Sequence, residues 1–360
     1  MKERMLKSKG WETLLRSRIS SFPLLIFAGL VKNAGKTTAL NALNTLFPNE
    51  CLGLTSIGYD GEAYDAIYRQ PKPSIPVRPG QLILTAERFL PDMPKGYKLL
   101  KDWGNHSQFG SWLILRITAP GNFRMAGPST RSELLKGISH LRHFGATRIH
   151  VDGALNRLSH ISLKNNNVGV ILSTGAALGN TLKDVSERTQ YLLELFQLPA
   201  FTPSGGLPCG APIQALHSDH NAYFQQDAWR SLPPFLWNQD VKSLIPPQAE
   251  TIYLKGALTD SFYLSLRTAG RLPQQFIVQS PAHILLSPNV WNGLKSREIQ
   301  MKLLERSHLA LLTLSPWHPI TPIPTERIAE ALLPYSKVPL VDIQRQQVWL
   351  PQILSQGGDS

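Results

Sequence analysis

The stretch from Phe22 to Asn44 constrains the fold more than any other part of the chain. It opens on a continuous apolar run, Leu24-Leu25-Ile26-Phe27-Ala28, and breaks at Gly29. A loop follows, Val31-Lys32-Asn33-Ala34, closing on Gly35-Lys36-Thr37-Thr38. A helical pattern, Ala39-Leu40-Asn41-Ala42-Leu43-Asn44, comes next. Strand, glycine loop and helix start are the setting that a phosphate-binding loop requires. The first amides of a helix have no intrahelical acceptor, and the helix dipole favours an anion beside them. Glycine lets the main chain close round an oxygen, and successive N–H groups form an anion nest. On this reading Gly29, Lys32, Asn33, Ala34, Gly35, Lys36, Thr37 and Thr38 cradle the phosphates of a nucleotide. Lys36 places a compact positive charge on the β- and γ-phosphates, and the Thr37 hydroxyl is a ligand for Mg²⁺. The plain alternative is a strand-turn-helix corner that carries Gly-Lys-Thr by chance.

Five residues separate Gly29 from Gly35, one more than in the commonest form, which would need glycine where Leu30 stands. That spacing resembles the loop of dethiobiotin synthetase and the cobyrinic-acid amidases, within the wider class that includes the Min and partition ATPases. In the deviant loops of that class a second lysine sits one residue earlier than Lys32 does here.

A chain of 360 residues can bury a sizeable core, either as two domains or as one large α/β domain. Its 42% hydrophobic content is that of a globular protein. The net charge of +12 is scattered rather than blocked, which argues against a nucleic-acid partner. The two cysteines, Cys51 and Cys209, form no disulfide framework or Cys-x-x-Cys motif, in keeping with a cytoplasmic protein. No apolar run approaches a membrane span, and residues 1–21 read as a basic, solvated lead-in helix or as a contact arm for a partner.

Patterning predicts strands at Leu24–Ala28, Cys51–Ile57, Gln81–Thr85, Ser111–Thr118 and Val168–Leu172, with helices at Thr37–Leu46, Arg131–Phe144 and Lys183–Phe196. Pro71, Pro73, Pro76 and Pro79 forbid a helix, so that segment reads as extended or as a hairpin returning through Gln81–Thr85. Thr130 and Glu133 form a capping box. Residues 199–248 read as an irregular linker or insertion. Alternation then resumes over 249–350: strands at Thr251–Lys255, His283–Leu286, His308–Leu314 and Val338–Asp342, helices at Asp260–Ala269, Val290–Arg306 and Thr325–Leu333. The expected class is α/β, a P-loop nucleoside triphosphatase with an open, mostly parallel sheet over residues 22–198. The region 249–350 is either a second α/β domain or an extension of the first sheet.

Asp152, behind the hydrophobic strand Ile149-His150-Val151 with its single histidine, sits where a strand-end carboxylate holds Mg²⁺ or its water. Asp60, with Glu62 beside it, is a weaker candidate for the Mg²⁺ shell or for orienting an attacking water; a solvated turn explains the pair equally well. The catalytic set is therefore Lys36, Asp60 and Asp152, and the metal set Thr37, Asp152 and Asp60. Arg157 is a further candidate for the site, Ser173-Thr174-Gly175 for the border of the nucleotide base, and Lys72 for a phosphate or partner contact. His217-Ser218-Asp219-His220 has metal-ligand residue types without metal-ligand spacing.

Several pieces together, GLVKNAGKTTALNAL, LTSIGYDGEAYD, KPSIPVRPGQLILTA, Asp152–Arg157 and Leu172–Ala176, resemble the reactivase subunit of the cobalamin-dependent lysine 5,6-aminomutase, and the accessory proteins of ornithine aminomutase. Lys255–Asp260 and Val338–Asp342 agree more loosely, and 199–248 matches little. The resemblance implies an ATP-binding, ATP-hydrolysing factor that reactivates an adenosylcobalamin aminomutase by promoting cofactor exchange, with ATP and Mg²⁺ as ligands and a MutS-like ATPase subunit as second partner. Two other readings stay open: a dethiobiotin-synthetase-like ligase or kinase acting on a small molecule, and a nucleotide-gated binding protein with little turnover. The lack of an Asn-Lys-x-Asp guanine signature favours ATP over GTP.

Overall fold

A computed structural model describes residues 5–7, 10–58, 75–92, 96–107, 109–123, 126–154, 167–202, 221–226, 228–233 and 240–352. The chain divides into two compact units, one of residues 1–190 and 308–360, the other of residues 191–307.

The first unit is α/β, built on an eleven-stranded sheet. In chain order its strands are β1 (Met5–Lys7), β2 (Leu24–Gly29), β3 (Leu52–Ser56), β4 (Leu82–Ala86), β5 (Tyr97–Ser107), β6 (Gly110–Ile117), β7 (Arg148–Ala154), β8 (Val168–Gly175), β9 (His308–Ser315), β10 (Leu340–Asp342) and β11 (Gln347–Trp349). Their spatial order is β1-β11-β10-β9-β8-β2-β7-β3-β4-β6-β5. The seven strands from β10 to β4 run parallel, and antiparallel strands finish both ends. The central strands are continuous apolar runs because both faces are covered.

The helices of this unit are α1 (Trp11–Ile19), α2 (Lys36–Thr45), α3 (Arg131–His143), α4 (Leu182–Phe196, which crosses the unit boundary) and α5 (Thr325–Leu332). Helices α1 and α2 share a core with Leu25, Phe27 and Ile171 of the sheet. On β4, Leu84 points opposite to Ile83, and α3 lies on that side: a Cβ on Gly137 would meet Leu84 at 2.3 Å, so α3 approaches the sheet closely. Thr130 caps α3, its hydroxyl accepting from the Glu133 amide and donating to the Glu133 carboxylate, so the expected pair meets side chain to side chain rather than through the Thr130 amide.

Several expectations change, and one strand stands where none was expected. The lead-in contains an amphipathic helix, not a solvated one: α1 buries Trp11, Leu15 and Ile19, each contributing about 1.5–3 kcal/mol by removal from water. The proline segment does not return through β4. Ile75–Val77 pairs antiparallel with Gly121–Phe123, while β4 joins β3 in parallel. Strand β5 carries Lys98, Lys101 and Asp102 on a bulged edge and lacks the alternation that would announce it. Last, residues 249–350 are shared between the units, since β9, β10 and β11 belong to the first sheet.

The second unit holds a five-stranded sheet in the order Ala228–Leu232, Asn221–Gln225, Thr251–Leu254, Gln275–Val278, Gln300–Leu303. The last three strands are parallel, and the first two form an antiparallel hairpin inside the stretch expected to be irregular. Helix Asp260–Ala269 is where patterning puts it, whereas the helix expected to reach Arg306 stops at Lys295. Glu298 turns the chain at φ 57°, and the strand Gln300–Leu303 follows. Among the described residues no helix is long and apolar enough to cross a membrane.

Candidate functional site

Strand β2, buried along its apolar run, delivers the chain to Gly29. The loop then turns through two left-handed residues, Asn33 at φ 63° and Gly35 at φ 90°. Asparagine tolerates that region and glycine enters it freely. Gly35 is held by a neighbour as well, because a Cβ there would stand 3.3 Å from the Ser315 Cβ. Helix α2 starts at Lys36 with Gly35 as its N-cap, no side-chain cap and no carboxylate in its first turn. Its leading amides and the positive end of its dipole therefore meet no side-chain cap.

Lys36 and Asp152 meet. The ammonium nitrogen lies 3.0 Å from Asp152 Oδ1, with the side chains 22% and 20% exposed. The cause is register: Asp152 of β7 pairs with Phe27 of β2 on one side and with Ser56 of β3 on the other, so it stands beside the strand that carries the loop. Asp152 lies inside β7 rather than in the turn after it, and its carbonyl accepts from the Ile57 amide at 2.7 Å. The end of β3 is closed over tightly. A Cβ on Gly127 would come within 1.7 Å of the Ser56 carbonyl oxygen, and Gly58 donates to the Pro128 carbonyl at 3.0 Å.

Thr37 and Thr38 occupy the first turn of α2, half-buried. Lys32 and Asn33 are exposed on the loop, and Ala34 is buried. Asp60, Glu62, Lys72, Arg157, His217 and His220 lie outside the described residues. Ser173 and Thr174 are buried. The Ser173 carbonyl accepts from the Leu30 amide, its hydroxyl accepts from Thr313, and Thr174 is buried against the Thr189 hydroxyl. A small cleft beside the loop is lined by Gly35, Thr38, Ser315, Pro316, Ile343 and Gln344.

Two residues beneath the site carry no motif and escape a sequence reading. His150, two positions before Asp152 on the same face of β7, is fully buried, and its Nδ1 lies 2.6 Å from Asn44 Oδ1 on α2. Burial pushes its pKa down to about 3, with the Arg148 charge adding to the effect, so the ring is neutral and its Nδ1–H donates to Asn44. Arg148 itself pairs with Glu50 at 3.0 Å and donates to the carbonyls of Ile19, Ser20 and Phe22, with its guanidinium 3.8 Å from the Phe47 ring centroid. The available signal was a histidine and an arginine inside an otherwise apolar strand.

Comparison with protein-family models, with curated proteins and with solved structures returned no match.

The donor set can be weighed against a magnesium nucleotide. A left-handed glycine before an uncapped helix start, one lysine, one threonine hydroxyl and one carboxylate suit an anion whose oxygens share a hard cation with the protein. Mg²⁺ keeps several waters and takes phosphate oxygens, so it does not need an all-protein cage. Among the described residues no group of three or more His, Cys, Asp or Glu is placed to hold a metal ion.

Proposed function

We propose that the first unit binds a nucleoside triphosphate, ATP, with Mg²⁺, and turns it over. The observation that carries this is the Lys36–Asp152 contact of 3.0 Å at the head of α2, which sets a cation for phosphate and a carboxylate for metal side by side at an uncapped helix start. Lys36 neutralises the β- and γ-phosphate oxygens. The amides of the loop and of the first turn of α2 orient them, and Thr37 and Asp152 hold the metal directly or through water. Mg²⁺ would supply charge neutralisation of the transferring phosphate. Asp60 retains its proposed part in the metal shell or in positioning water. The test is nucleotide binding by calorimetry together with phosphate release. Lys36→Ala is expected to lower both by roughly a hundredfold or more, with the circular dichroism spectrum unchanged. Unaltered hydrolysis in a folded K36A protein would refute the assignment.

The larger role, reactivation of an adenosylcobalamin aminomutase together with a MutS-like ATPase subunit, is supported by the resemblance in the loop and strand-end segments. There, nucleotide state would bias a conformational equilibrium that releases damaged cofactor. A pull-down with aminomutase subunits in the presence of ATP tests it. Failure to retain the mutase under any nucleotide condition removes that role and leaves the nucleotide site standing.

A further inference from the structure

We propose that the outer edge of β5 receives an extended acidic segment of a partner protein, added to the sheet as a further strand, with its carboxylates facing α3 and apolar residues between them. The inference does not depend on the nucleotide reading. Cations that lie scattered along the sequence come together here. Lys98 of β5 stands opposite Arg116 of β6, and Arg116 donates to the Phe144 carbonyl at the end of α3 at 3.0 Å. Lys101 pairs with Ile114, which also pairs with Leu84, the residue of β4 that lies under α3. The bulge between Leu99 and Lys101 thus brings both lysines to the α3 face of the sheet. On α3, Lys136, His140 and His143 share one flank at helical spacing. That flank borders β5, since the His140 and Trp103 ring centroids are 5.0 Å apart.

Among the described residues none of these six cationic or basic groups is paired with a carboxylate. Glu133, at the far end of the same flank, accepts from the Thr130 hydroxyl, and Asp102 lies on the other face of β5. Burial pushes the His140 pKa below its ordinary value, and the charges of Lys101 and His143 push it further down. Like charges directly opposite across two strands are destabilising, and an anion laid beside β5 offsets that cost.

Three features select the occupant. None of the described strands pairs the outer side of β5, so its main-chain groups can accept another strand. Side chains of an added strand alternate between faces. One set would lie beside Lys98 and Lys101, and the other beside Leu99, which pairs with Leu115 on the opposite face and is 51% exposed. Carboxylates at every second position with apolar residues between them match both faces. A second copy of β5 would set lysines against lysines, so the same charges disfavour self-pairing. The flank of α3 from Lys136 to His143 is about 10 Å long at about 1.5 Å per residue. That is room for about two or three phosphates, against roughly six to ten contacted by a nucleic-acid binder.

The experiment uses the full chain and three fluorescent probes followed by anisotropy: the peptide Glu-Val-Glu-Val-Glu-Val-Glu, its block isomer Glu-Glu-Glu-Glu-Val-Val-Val, and a thymidine oligonucleotide. The alternating peptide is expected to bind at least about tenfold more tightly than either other probe and to slow amide exchange across residues 98–102. Lys98→Glu with Lys101→Glu lowers its affinity by at least about tenfold, with the circular dichroism spectrum unchanged. Lys136→Glu, on the exposed flank of α3, is a second variant that leaves the sheet alone and lowers it by about threefold. Equal affinity for the two isomers, tighter binding of the oligonucleotide, or binding that leaves the β5 amides unprotected overturns the proposal, and so does the absence of binding.

Discussion

At the scale of single residues, His150 makes a measurable claim about acid stability. Its folded pKa is near 3, against an ordinary value of 6.5. The unfolded chain therefore takes up the proton first, and stability falls as pH drops below about 6.5, at up to about 1.4 kcal/mol per unit, until about pH 3. Between pH 7 and pH 5 this one group accounts for a loss of about 2 kcal/mol. His150→Leu should flatten that interval. It also removes the partner of the Asn44 carbonyl, at a pH-independent cost of about 1–3 kcal/mol, so the slopes of stability against pH carry the test rather than the absolute values. Urea midpoints that decline in parallel for both proteins would show that the ring does not titrate as its burial demands. The same pair shows what a sequence hides. The Gly35-Lys36-Thr37 signature is local and can be read in order, whereas the Asn44–His150 bond joins residues far apart in the chain and appears only when α2 lies on β7.

At the scale of elements, Arg148 explains why α1 belongs to the core. Arg148 is 4% exposed, and its guanidinium gathers three carbonyls from the end of α1 and the turn after it, and the Glu50 carboxylate besides. Arg148→Met keeps the stem over Phe47 but strands these acceptors. A loss of about 3 kcal/mol in denaturant unfolding is expected, together with faster proteolysis within residues 10–20. A loss below about 0.5 kcal/mol would mean that the clamp is incidental. The elements that patterning located well are those with one dominant environment: β2 and β8 as buried runs, α3 by its cap and α2 by its loop. Those it misplaced are edge or transitional pieces. Strand β5 is charged and bulged at the edge of the sheet, where none of the described strands pairs its outer side, and Gln300–Leu303 was absorbed into a helix because only the Glu298 turn separates them. The candidate site was legible where it depends on adjacent residues. The cleft beside the loop was not, because Gly35, Ser315 and Gln344 meet only through the order of strands.

At the scale of the whole molecule, the chain leaves its first sheet after β8 and returns to it at β9, with residues 191–307 forming the second unit between. A division of the sequence at residue 198 would give an apparently complete nucleotide-binding domain with loop, lysine and Asp152 all present. The sheet order forbids this. Strand β8 is buried along its whole length and pairs with β9 through seven registered positions, from Gly169–His308 to Gly175–Ser315. A chain ending at residue 198 would present that face and edge to water, an open template for pairing with other chains. It would also lack Ser315 against Gly35 and the cleft residues Ile343 and Gln344. The expected outcome is an aggregating, poorly folded 1–198 fragment without measurable nucleotide affinity, checked by light scattering, circular dichroism and calorimetry beside the full chain. A soluble, monomeric 1–198 fragment that binds ATP as tightly as the full chain would mean that the phosphate loop is organised without β9, and that the register between β8 and β9 has no part in shaping it.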